Sequence, residues 1–268
     1  MGFTPTWWRG ECSLVRCRIH SPSHMEKAGF NEWFGTPYYA MLYGHRDDEE
    51  ARAQVEGLVS ITGSTAGASV LDMACGRGRH ARWFAERGMH VTGFDVNAEA
   101  ITTARQVAPK AEFHVHDMRE PFATSSFDLV VNLFTSFGYF AQRSDDLLVL
   151  GAAHAALRPG GSLVIDFMNT PKVISALVAN EERSVGDVRF TMTRRVHQGM
   201  VEKSIRIQDK GVKHHYLERV MALTPEEIVS MAQQCGFTVA GRFGDFNGAP
   251  YDVERSERFL LWALRSED

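Results

Sequence analysis

Residues 70–81 constrain this chain more than any other stretch. Val70-Leu71-Asp72-Met73-Ala74-Cys75-Gly76-Arg77-Gly78-Arg79-His80-Ala81 reads as a buried strand, a glycine turn and the start of a helix. Two glycines one residue apart let the backbone turn sharply and come close to a ligand, because a Cβ there would clash or forbid positive φ. Beyond the turn, Ala81, Phe84 and Ala85 recur at i, i+3 and i+4, and Gly88 offers a C′ cap, which predicts a helix. Such a unit places a nucleotide-like ligand at a helix N-terminus. Gly76-Arg77-Gly78-Arg79-His80-Ala81 even satisfies the relaxed dinucleotide pattern G-x-G-x-x-A.

Asp72 changes that reading. A dehydrogenase strand stays apolar up to its first glycine, whereas here an acid stands four residues before Gly76, where a cationic ligand would arrive. The run from Val70 to Gly78 resembles the first motif of class I S-adenosylmethionine-dependent methyltransferases, hydrophobic-hydrophobic-Asp-x-x-x-Gly-x-Gly. The strands that follow extend the resemblance. Residues 90–95 form a short strand ending in Asp95, 19 residues beyond Gly76, where α/β sheets hold ribose hydroxyls. Asp95 could instead cap the next helix, 97–107, although Asn97 can do so itself. Residues 111–118 give a third strand ending at Asp117, and 127–134 an apolar fourth strand suited to a position buried on both faces. Acids at three strand ends make an electronegative crevice suited to hydroxyls, an amine and a sulfonium. A helix over 145–157 and the turn Arg158-Pro159-Gly160-Gly161 then feed a fifth strand, 162–167. A proline-glycine-glycine turn there is another hallmark of the family, and a dehydrogenase does not predict it.

The resemblance, which covers roughly residues 31–170, implies S-adenosylmethionine as cofactor. It draws the cofactor site from Asp72, Ala74, Gly76 and Gly78, then Asp95 and Val96, then Asp117 and Met118 beside the adenine, and finally Asn132 and Phe134. A tyrosine-rich N-terminal helix closes over the cofactor in many such enzymes, which brings in Tyr39, Tyr43 and Arg46, the arginine pairing with the methionyl carboxylate. Trp33, Phe34, Tyr38, Tyr39 and Tyr43 can equally pack a cap over the core.

Composition narrows the partners. The 268 residues suffice for one domain with a substantial insertion or for two small ones, and 44 % are hydrophobic. A net charge of −4 argues against a phosphate-backbone surface and hence against nucleic acid. Four cysteines without C-x-x-C pairing point to a reduced, cytoplasmic setting, and no metal-ligand cluster is visible. Asn132, Ser136 and Asp166 interrupt the most apolar runs, so no membrane span is expected.

Residues 1–24 carry no defensible period and no signal-peptide core; they read as a weakly ordered extension or a docked arm. An amphipathic helix over 48–61 points Ala51, Val55, Leu58 and Val59 inward. Residues 184–222 break the alternation of strand and helix. Three β-rich runs, 188–196, 201–207 and 213–221, are separated by Gln198-Gly199 and Asp209-Lys210-Gly211, which predicts an antiparallel lid able to roof the crevice. Of the consecutive His214 and His215, at most one can face a ligand. Thr224-Pro225 starts a helix that Gly236 ends, and strands follow at 237–243 and 258–264.

The expected architecture is an α/β, doubly wound seven-stranded sheet with the last strand antiparallel, an N-terminal helical cap and the lid. The methyltransferase core with its cap comprises 25–183 and 223–268. The expected activity is in-line methyl transfer to a small molecule by a monomer or homodimer. With the donor already activated, holding an unprotonated nucleophile about 3 Å from the methyl in a dry crevice supplies much of the acceleration. An antiparallel last strand sends loop 245–252 over the ligand rim, so Tyr251 and Asp252, with His215 from the lid, are the expected acceptor-side residues. A carboxylate there suits an amine. A dinucleotide-dependent oxidoreductase and a non-catalytic cofactor-binding protein are the alternatives.

Overall fold

The computed structural model describes residues 33–44 and 48–266. The 1–24 extension and Arg46 therefore lie outside the described residues. The central sheet has seven strands in the order β10-β11-β5-β4-β1-β2-β3. They are β1 (Ser69–Met73), β2 (His90–Asp95), β3 (Glu112–Val115), β4 (Phe127–Asn132), β5 (Leu157–Met168), β10 (Phe237–Phe243) and β11 (Arg258–Arg265). β11 runs antiparallel to both β10 and β5, and the other pairings are parallel. This is the expected doubly wound sheet with an antiparallel last strand.

Helices α2 (Asp48–Thr62), α3 (Arg79–Glu86) and α4 (Ala98–Val107) pack one face, and α5 (Arg143–Ala156) and α7 (Pro225–Gln234) the other. The periodic positions of α2 behave as expected: Ala51, Val55 and Leu58 are fully buried, and each large aliphatic side chain so placed stabilises the fold by about 1.5–3 kcal/mol. Asn97 caps α4 by accepting from the Glu99 and Ala100 amides, and Thr224 caps α7 in a reciprocal box with Glu227. Short α1 (Pro37–Tyr43), capped by Thr36, lies in the N-terminal cap, and a six-residue α6 (Thr170–Ser175) follows β5.

The lid is a separate four-stranded antiparallel sheet, β6-β7-β8-β9, formed by Asn180–Val185, Val188–His197, Met200–Asp209 and Val212–Met221. Gln198-Gly199 and Lys210-Gly211 make two of its three turns with positive φ at both central residues, as type I′ hairpins require. β6 begins at Asn180, four residues ahead of the expected insertion, and is an additional strand. Its sequence hides it, because an edge strand reading Asn-Glu-Glu-Arg-Ser-Val carries no apolar alternation. One lid face is apolar: Phe190, Met192, Ile205 and Ile207 pack with Trp33 and Leu42 of the cap. β3 stops at Val115, two residues short of Asp117, and the Pro159-Gly160-Gly161 stretch falls within β5 rather than ahead of it.

Candidate functional site

A cavity of about 1100 Å³ opens at the C-terminal rim of β1, β2 and β4, bounded above by the cap and the β9 edge of the lid. That rim is where open α/β sheets bind ligands. The two glycines of the first turn do different work. A Cβ on Gly76 would meet nothing within 4 Å and would project into the cavity. A Cβ on Gly78 would come within 3.0 Å of the Ala104 side chain and 3.1 Å of Phe113, so that glycine admits α4 and β3 to the turn. Both hold positive φ, and Ala74 between strand and turn does so as well, at 59°. A non-glycine residue there stores about 1–2 kcal/mol of strain.

Asp72 is 2 % exposed, and its Oδ2 has no hydrogen-bond partner among the described residues. Burial, reinforced by the Asp95 charge, pushes its pKa up to about 7. Asp95 accepts the Gly76 amide at 3.0 Å and the Asn97 amide at 2.8 Å. Burial raises its pKa too, against those hydrogen bonds. His80, buried and 2.7 Å from Gln54 Oε1, is pushed down to about 3 by burial and by Arg79, so it is neutral. Asp117 accepts the Arg119 amide at 3.0 Å and its guanidinium at 3.1 and 2.7 Å.

At the end of β4 two consecutive bulky residues, Phe134 and Thr135, hold φ of 69° and 58°. Buried Asp166 secures them. Its Oδ2 accepts the Phe134 amide at 2.8 Å and its carbonyl accepts the Thr135 amide at 3.0 Å, while its Oδ1 accepts from Arg258. Arg258 also donates to Thr135 Oγ1 at 2.9 Å. The Phe134 ring has the Arg79 and Arg258 guanidinium carbons at 5.2 and 5.4 Å from its centroid, within cation–π range.

Two lid carboxylates tie cap to lid: Asp209 accepts from the Tyr38 hydroxyl at 3.1 Å, and Glu218 ties them at the roof of the cavity. Glu218 on β9 accepts from Trp33 Nε1 at 2.5 Å and from the Tyr43 hydroxyl at 3.0 Å, and Lys203 donates to that hydroxyl at 2.6 Å. Phe34, Tyr39, Tyr43 and Tyr139 line the wall beneath, with ring centroids 4.8–5.7 Å apart in contacting pairs.

Of the residues singled out from the sequence, Asp72, Ala74, Gly76, Asp95, Val96, Asp117, Met118, Phe134, Tyr39, Tyr43 and His215 line the cavity. Gly78 and Asn132 do not: Gly78 packs as described, and Asn132 donates inward to the Met73 carbonyl at 3.1 Å. Tyr251 and Asp252 are also absent from it, which corrects the expectation placed on loop 245–252. Tyr251 donates to Asn169 Oδ1 at 2.8 Å and stands edge-on to Phe259. Asp252 caps its own turn and pairs with Arg255, which lowers its pKa to about 2. The loop reaches the right rim but lies back on α2, where a Cβ on Gly57 would collide with the Phe246 carbonyl at 1.8 Å. Sequence reasoning missed Glu218, Arg258 and Tyr139. Tyr139 lies in the run Phe137-Gly138-Tyr139-Phe140 just past β4, a signal that was open to reading, whereas Glu218 and Arg258 carry no local signature.

Comparison with known proteins follows the same line. A sequence family described as a methyltransferase domain matches residues 70–161. A putative methyltransferase, YqeM of Bacillus subtilis (strain 168), is 32 % identical over 209 residues, 74 % of this chain and 84 % of that protein. The chain belongs to the S-adenosylmethionine-dependent methyltransferases. A second relative, the dTDP-3-amino-3,4,6-trideoxy-alpha-D-glucopyranose N,N-dimethyltransferase of Streptomyces venezuelae, is 31 % identical over 54 % of this chain, and the match spans 65 % of that enzyme's length. Among solved structures, S-adenosylmethionine-bound CalS10, an amino pentose methyltransferase from Micromonospora echinaspora, shares the fold. Its TM-score is 0.67 at 22 % identity, over 86 % of this chain and 97 % of that one. S-adenosylmethionine is the cofactor of this methyltransferase, and its crevice fits that molecule: the unpartnered Asp72 Oδ2 suits a cationic group, and the backbone at Gly76 admits close approach of a nucleoside. No described helix of the methyltransferase is long and apolar enough to cross a membrane.

Proposed function

We propose that this enzyme methylates an amine on a small molecule, in the cytoplasm. The carrying observation is the aromatic wall of the cavity, where Phe34, Tyr39, Tyr43 and Tyr139 lie side by side and Tyr43 donates to the Glu218 carboxylate. S-Adenosylmethionine supplies a methyl group activated by attachment to a sulfonium. Asp95 holds the ribose hydroxyls, Asp117 and Met118 border the adenine, and Asp72 takes the methionyl ammonium. An amine becomes cationic on methylation; Lys203 already stands 3.8 Å from Glu218 and 4.8 Å over the Tyr43 ring, so the ring faces of Phe34, Tyr39 and Tyr139 are what would offset the charge as it arrives at nitrogen. Neither oxygen nor carbon acceptors need such a wall. His215, the expected acceptor-side residue that lines the cavity, stands at its mouth with Nε2 2.8 Å from Ser204 Oγ, where it can pass the released proton to water.

The amine reading agrees with the two N,N-dimethyltransferases of amino sugars among the relatives, from Streptomyces venezuelae and Streptomyces fradiae, at 31 and 29 % identity. The test is a panel of amino sugars, alkylamines, phenols and carboxylic acids incubated with methyl-labelled cofactor and analysed by mass spectrometry. Label on nitrogen is the expected result; label confined to oxygen or carbon overturns the reading. The ribose assignment is tested by calorimetry. Asp95→Ala removes charge-assisted hydrogen bonds worth about 1.5–3 kcal/mol each, so S-adenosylhomocysteine should bind at least tenfold more weakly.

A further inference from the structure

The lid has two unlike faces. The one toward the cap is apolar and covered, whereas no element among the described residues covers the other. Register places Arg189, Arg195, Arg206, Lys213 and Arg219 on the open face, against the carboxylates Glu182 and Glu202. Glu202 is 5 % exposed and already takes Arg195 at 2.7 Å and Arg219 at 3.0 Å. Arg189, Arg206 and Lys213 are exposed and make no ion pair or side-chain hydrogen bond among the described residues. Between the cations lie Thr191, Thr193 and Ser204, small hydroxyl residues that leave a flat floor. The whole chain carries a charge of −4, so this concentration of positive charge is local. The face also runs into the active cavity, because His215, Leu217 and Arg219 belong to both.

We propose that the open face of the lid docks a small acidic carrier protein that presents the methyl acceptor on a flexible arm. Three observations select this occupant. A second copy is disfavoured, because two such faces brought together would set cation against cation. A free phosphorylated acceptor would cover one end of the face only: Arg189, Arg206 and Lys213 lie together on adjacent strands, whereas the basic face continues past them to Arg195, six residues along the same strand as Arg189, about 20 Å at 3.3 Å per residue. Four strands of ten residues or fewer give on the order of 500 Å², approaching the ~800 Å² that one partner contributes to a standard protein interface. A protein seated there holds its tethered group at the cavity mouth, and its electrostatic steering is sensitive to salt. The proposal rests on the amine reading only in what the arm carries.

The probe is a phosphopantetheinylated acyl carrier protein, and binding is measured by fluorescence anisotropy against the wild type and a variant combining Arg189→Ser, Arg206→Ser and Lys213→Ser. The expected result is binding to the wild type that weakens at least tenfold in the variant and falls as salt rises, while both proteins bind S-adenosylhomocysteine equally. Parallel titrations use a 20-nucleotide oligothymidylate and phosphatidylglycerol vesicles. Absence of carrier binding, equal binding to both proteins, or tighter binding of oligonucleotide or vesicles overturns the proposal. None of these readouts needs turnover, so a failed docking surface is distinguishable from a wrong choice of methyl acceptor.

Discussion

Asp72→Asn should stabilise the cofactor-free enzyme while weakening its grip on the cofactor. Asp72 has a folded pKa of about 7 against an ordinary value of 3.8. A group raised in the folded state contributes stability that is full below its unfolded pKa and is lost as pH rises through the folded one. The contribution of Asp72 to wild-type stability therefore falls between about pH 4 and pH 7 and is flat above. About three pH units at 1.36 kcal/mol each set a ceiling of about 4 kcal/mol at pH 8. Asparagine keeps the shape and carries no charge, but its amide exposes a buried donor where Oδ2 was, which costs about 1–3 kcal/mol. The net gain at pH 8 is then about 1–3 kcal/mol, or a few degrees at roughly 2–4 °C per kcal/mol for a chain of this size. At pH 5 the wild-type carboxyl is protonated in the folded state and the charge penalty falls by about two-thirds, so the net gain of the variant falls to about zero. Melting curves of the two cofactor-free proteins from pH 5 to 8 check this. Calorimetry should show S-adenosylhomocysteine binding weakened by about 10- to 100-fold, the worth of one charge-assisted hydrogen bond to an ammonium. A melting difference constant across that pH range, or one that grows toward acid, refutes the burial argument; unchanged affinity refutes the ammonium assignment.

The two glycines of the first turn should separate cleanly. Gly78→Ala meets Ala104 and Phe113 at 3.0 and 3.1 Å in a left-handed conformation, and overpacking plus strain should cost about 2–4 kcal/mol by denaturant unfolding. Gly76→Ala projects into the cavity and should lose much more cofactor affinity for its cost in stability. Tyr251→Phe and Asp252→Asn should keep wild-type turnover once an acceptor is in hand, because both side chains are engaged outside the cavity. Loss of turnover with cofactor affinity retained would return that loop to the site.

The strand-turn-helix unit, the strand-end acids Asp72 and Asp95, the helix caps and the paired-residue hairpin turns were determined by the sequence alone. Each is a short-range pattern: alternation or helical period for burial, glycine for positive φ, a side-chain oxygen for an orphan amide. The cofactor half of the site was legible for that reason, since one rim of a parallel sheet collects the residues at successive strand ends. Tertiary structure decided the acceptor half. Tyr251 and Asp252 do connect antiparallel strands at the right rim, but a hydrogen bond from Tyr251 to Asn169, 82 residues away, and a local pairing of Asp252 with Arg255 turn their side chains away, and such pairings have no period to read. Glu218 reaches the cavity only because the lid folds its apolar face onto Trp33 and Leu42; Trp33 meets Glu218 across 185 residues of sequence. The same packing leaves the basic face outward. In the sequence its cations are interspersed with acids, and only the two-residue pleat of paired strands sorts them onto opposite sides.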